Sequence, residues 1–64
     1  MAETEITIRK CLDMAEEEGY ITKSSSLSEL NDCRYEILSF RLTDDEIADL
    51  NENEVERIFN DWLY

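Results

Sequence analysis

Carboxylates are almost the whole chemical inventory of this chain. Of its 64 residues seventeen are Asp or Glu, six are Lys or Arg, and none is His. Acid–base chemistry would rest on carboxylates alone, and with a single glycine there is no glycine-rich loop to cradle a phosphate. No serine or cysteine has an evident base. Cys11 and Cys33 are too few for a zinc site or a disulfide framework and read as reduced, packed thiols. Asp49-Leu50-Asn51-Glu52-Asn53 places oxygen ligands at positions 1, 3 and 5 of a calcium loop, yet position 6 is Glu54 instead of glycine and position 12 is Asn60 instead of glutamate. Asn51 reads there as a helix cap between two short helices. The expectation is a protein that is not an enzyme and takes no metal or cofactor.

The distribution of charge says more. Net charge is -11 and the isoelectric point is near 4.1, which makes phosphates and anionic membranes poor partners and a basic, nucleic-acid-handling protein surface a good one. Residues 44–64 carry eight acids against Arg57, net -7, and residues 1–43 carry nine against five bases, net -4. Glu16, Glu17 and Glu18 sit where a helix should end, at the negative pole of its dipole, where each costs a few tenths to about 1 kcal/mol at low salt. Charges placed against such a cost are most easily understood if a partner needs them. The expected partner-binding surface comprises Asp13, Glu16, Glu17, Glu18, Asp44, Asp45, Asp49, Glu52, Glu54 and Glu56. No apolar run approaches the ~18 residues of a bilayer crossing, so a cytoplasmic protein without membrane or direct nucleic-acid contact is expected.

The elements that position these acids follow from apolar spacing. High net charge is a signature of disorder, but 42% hydrophobic residues and six aromatics favour a fold. Ile8, Cys11, Leu12 and Ala15 make one stripe of a first helix over about Glu5 to Glu18, closed by Gly19 with Tyr20 and Ile21 following. On it Asp13 and Glu17 lie opposite the stripe, one turn apart, and repel. Ser26 with Glu29 forms a capping box opening a helix that continues, or breaks near "NDC", through residues 34–42. Those nine residues could instead form a strand, but a lone strand leaves its backbone groups unpaired. Thr43 with Glu46 and Asn51 with Glu54 form two further capping boxes, the last before a stripe of Val55, Ile58, Phe59 and Trp62. The expected fold is all-α, a compact single domain over 1–64 of three to four short helices, with an α+β form having a short strand in 34–42 as the alternative.

Two resemblances bear on function. "SSLSEL" resembles the Asp-Ser-Leu attachment site of acyl carrier proteins, which are likewise small, acidic and helical, although Ser25 stands where those have aspartate. In size, charge and lack of catalytic groups the whole chain resembles the small acidic anti-CRISPR proteins of phages and mobile elements, with "CLDMAEEEGY" and "TDDEIADLNENEVERIFNDWL" carrying the acidic pattern. That resemblance implies an inhibitor that imitates nucleic acid and occupies the DNA-binding surface of a CRISPR effector complex in a bacterial host cell, with a type I-C effector as the expected target. The rival expectation is a helical adaptor docking through an apolar surface, with Tyr20, Tyr35, Phe40 or Tyr64 as anchors.

Overall fold

Five helices form, one more than the three to four expected, because the second breaks in two and ends at Leu38 rather than at Leu42; no strand occurs among the described residues, 2–64, of the computed structural model. Helix α1 (Ala2–Glu17) begins three residues earlier than its apolar stripe required. Glu3 and Glu5 favour its positive pole, Glu5 pairs with Arg9 one turn on at 3.4 Å, and the Thr7 hydroxyl bonds back to the Glu3 carbonyl at 2.9 Å. Its C-terminus is a Schellman motif. Gly19 takes φ +87, its N–H reaches the Glu16 carbonyl at 3.1 Å, and the Tyr20 N–H reaches Ala15 at 3.0 Å. Ile21 then folds into the core.

Of the two courses the sequence left open, the break near "NDC" is the one taken: α2 (Leu27–Asp32) and α3 (Arg34–Leu38) are separate helices. The Ser26–Glu29 capping box opens α2 with both reciprocal bonds in place. Cys33 joins the two helices at φ -100 and ψ 14, in the bridge region, and the weak helix formers Asn31 and Asp32 precede it. The break has a packing reason. Leu30 and Ile37, seven residues apart, would share one face of a straight helix; breaking the helix lets α2 pack against α5 and α3 against α1.

Helix α4 (Asp44–Ala48) is opened by the full Thr43–Glu46 box, and α5 (Glu52–Leu63) by Asn51. At Asn51 only half of the expected box forms: its side chain accepts from the Asn53 and Glu54 N–H groups, at 2.9 and 3.2 Å, without a return bond from Glu54. The Glu54 carboxylate is drawn instead toward Arg57, one turn along α5, at 3.8 Å.

α1 and α5 lie side by side in the same sense, since Glu5 meets Arg57 near one end and Asp13 meets Trp62 near the other. Ile8, Cys11, Leu12, Leu30, Ile37, Leu38, Val55, Ile58, Phe59 and Trp62 form one cluster that buries the stripes of both. Trp62 joins the core as its spacing predicts, and its indole N–H donates to Asp13 Oδ1 at 2.9 Å. No described helix carries a basic residue in its last turn. For α5 the loop supplies one: the Lys23 ammonium donates to the Trp62 carbonyl and lies 3.8 Å from the centre of the indole ring. No described helix is long and apolar enough to cross a membrane.

Candidate acidic interface

The ten acids expected at a partner surface separate into three groups. The largest lies at the corner where α4 ends and α5 begins. Asp45 and Asp49 are one helical turn apart, the Asp49 N–H bonding the Asp45 carbonyl at 3.2 Å, which brings their Cβ atoms to about 5–6 Å. Glu52 and Glu54 follow in the first turn of α5. A shallow groove of about 380 Å³ between α1 and α4 is lined by Glu3, Glu46 and Asp49, with Leu42 and Leu50 as its floor. A second, of about 220 Å³, is shared by Asp49, Glu54 and the Thr4–Ile8 turn of α1. The beginning of α1 thus adds Glu3, and α4 adds Glu46, to a surface whose sequence expectation omitted both. No three Cys, Asp or Glu side chains converge as ligands for a metal ion among the described residues.

Several of the corner acids have partners. Asp44 accepts from the Tyr35 hydroxyl, and this bond to a carboxylate is the main reason that the phenol's pKa is raised above its ordinary 10.0. Glu52 pairs with Arg34 at 3.3 Å while remaining 85% exposed, so its charge still faces solvent. Glu56 accepts from the Asn31 amide at 3.3 Å. Arg57 is surrounded by Asp61 at 3.1 Å, Glu5 at 3.7 Å and Glu54 at 3.8 Å, and so offsets part of the repulsion along α5. Of the six expected corner acids, Asp45 and Asp49 alone make no ion pair or side-chain hydrogen bond among the described residues, and the added Glu3 is likewise uncompensated.

Asp13 belongs to a different setting. It is exposed, as the helical wheel predicts, but its carboxylate is held by the Trp62 indole across the α1–α5 seam. Glu16, Glu17 and Glu18 form the third group, also exposed and without a side-chain partner among the described residues. Glu16 lies eight residues along α1 from Ile8 and twelve from Thr4, so at 1.5 Å per residue the trio stands about 12–18 Å from the corner grooves. The sequence pattern suggested one continuous acidic surface; the fold places its two partnerless clusters at opposite ends of α1.

The remaining sequence candidates have structural explanations. Ser26 serves as the α2 cap, its hydroxyl accepting from the Glu29 N–H at 3.2 Å. Cys11 is buried, its thiol against the Leu38 carbonyl at 3.6 Å, and burial pushes its pKa above the ordinary 9.0. Both cysteines are unpaired thiols. Of the aromatic anchors, Tyr20, Tyr35 and Tyr64 are exposed, whereas Phe40 is half-buried edge-on to Tyr20. Comparison with protein-family models, with curated proteins and with solved structures finds no match for this chain.

Proposed function

We propose that this protein is a stoichiometric inhibitor that presents the α4–α5 corner to a basic nucleic-acid-binding surface of a bacterial defence complex, in the manner of the small acidic anti-CRISPR proteins its composition resembles. The reading is supported above all by the uncompensated pair Asp45 and Asp49, with Glu52 85% exposed beyond them. Acidic side chains whose Cβ atoms lie about 5–6 Å apart on a capped helix form a pre-ordered row of negative charge, and a nucleic-acid strand advances about 3.4 Å per phosphate. A basic groove built for that backbone meets charge of similar density here. Such complementarity chiefly accelerates encounter and selects among partners.

The test is competition with DNA for a type I-C effector complex, the target the resemblance implies. Asp45→Lys, Asp49→Lys and Glu52→Lys are combined, because a single exposed pair contributes only about 0.2–1 kcal/mol. Together they should weaken binding by about 1–3 kcal/mol, and the parent's affinity should fall steeply between low and moderate salt. Circular dichroism establishes that the triple variant folds. A folded triple variant that displaces DNA as well as the parent does would overturn the reading and favour an apolar adaptor, whose binding is nearly indifferent to salt.

A further inference from the structure

Tyr20, Phe40, Glu36 and Ser39 line a groove of about 230 Å³ at the junction of the α1 terminus and α3. The two rings meet edge to face at 5.8 Å and 64°, yet Tyr20 remains 60% exposed. Its ring is thus fixed by a neighbour while keeping surface for a contact. The Glu36 carboxylate makes no ion pair or hydrogen bond among the described residues, and the three residues before Gly19 are Glu16, Glu17 and Glu18. Arg41, which follows Phe40, is exposed and also forms no ion pair with them.

The geometry points to a docking site for an arginine side chain of a partner protein, separate from the acidic corner. Charge complementarity selects the occupant: a second copy of this chain brings another -11 and is repelled, whereas a cation is drawn by that net charge and by the Glu36 carboxylate that lines the groove with Tyr20. Arginine fits better than lysine. Its planar guanidinium stacks on the Tyr20 face while its fork of donors meets the Glu36 carboxylate, and its methylene stem covers Phe40.

The experiment is a titration of the isotope-labelled full chain with Nα-acetyl-arginine amide at low salt, followed by amide chemical shifts. Its neutral isostere, Nα-acetyl-citrulline amide, is the control. Saturable shifts confined to the neighbourhood of Tyr20, Glu36, Ser39 and Phe40, absent with citrulline, are expected. Tyr20→Ala and Glu36→Gln, both at exposed positions, should each weaken binding about two- to fivefold, and Tyr20→Phe should retain it. Reversal of Asp45 and Asp49 should leave the titration unchanged, so failure at the corner and failure here are distinguishable. Shifts that rise without saturating, that spread equally over the corner, or that persist undiminished in folded Tyr20→Ala would overturn the assignment.

Discussion

The Trp62–Asp13 bond gives the sharpest test of how this small acidic fold is held. At 0.05–0.15 kcal/mol per residue, a 64-residue chain has about 3–10 kcal/mol of stability. Trp62 is 4% exposed, and truncating a buried aromatic of its size costs about 3–5 kcal/mol, so Trp62→Ala should leave the chain largely unfolded. Trp62→Phe is more informative, because it keeps an aromatic ring in the core and deletes the N–H that Asp13 accepts. A hydrogen bond to a charged group is worth about 1.5–3 kcal/mol, but Asp13 is exposed and can rehydrate, so about 1 kcal/mol of coupling is expected. Urea unfolding of the parent, Trp62→Phe, Asp13→Ala and the double variant, followed by far-ultraviolet circular dichroism, isolates that coupling from the change in ring size. A coupling below about 0.3 kcal/mol would refute the claim that this bond ties α1 to α5. Unchanged melting of Trp62→Ala would refute the placement of α5 in the core.

Two further outcomes follow from charge and burial. The Debye length of about 10 Å at 0.1 M salt matches the 10.5 Å radius of gyration, so raising sodium chloride from 0.02 to about 0.3 M should raise the melting temperature by several degrees; a fall would mean that the Arg57 ion pairs outweigh the repulsion. Cys11 and Tyr35 both have pKa values raised in the fold, so the stability they contribute is complete below their unfolded values of 9.0 and 10.0 and is lost as pH rises through the folded ones. Melting temperature should decline above pH 9, and in Cys11→Ala the onset should move to higher pH; an onset unaffected by that substitution would contradict the thiol's role.

What could be read from the sequence was what depends on neighbours in the chain. The Ser26–Glu29 and Thr43–Glu46 boxes, the Gly19 terminus and the Val55–Trp62 stripe each arise within a few residues, and each formed. The division of α2 from α3 at Cys33 was legible only as one of two courses, because what decides it is packing across the fold, α2 against α5 and α3 against α1. Pairings across the fold were equally hidden. Asp13 and Trp62 are 49 residues apart, Arg34 and Glu52 are 18 apart, and composition cannot tell a carboxylate held by an indole or a guanidinium from one held by nothing.

Helix polarity accounts for part of the acid surplus that net charge alone makes look functional. Nine of the seventeen acids occupy first turns: Glu3 and Glu5 in α1, Glu29 in α2, Glu36 in α3, Asp44, Asp45 and Glu46 in α4, Glu52 and Glu54 in α5. There they complement the positive pole, and two of them also close capping boxes. These positions serve the fold whether or not a partner exists, so at the corner the argument for binding rests on exposure and missing counter-charges. Glu16, Glu17 and Glu18 are different. They lie at the negative pole of the longest helix, with no basic residue in its last turn to balance them. A fold with about 3–10 kcal/mol in hand bears that cost at three successive positions, just ahead of the exposed Tyr20. Stability gives no reason for them; on the proposal of a cation-binding partner, they add to the negative potential that draws it to this end of α1.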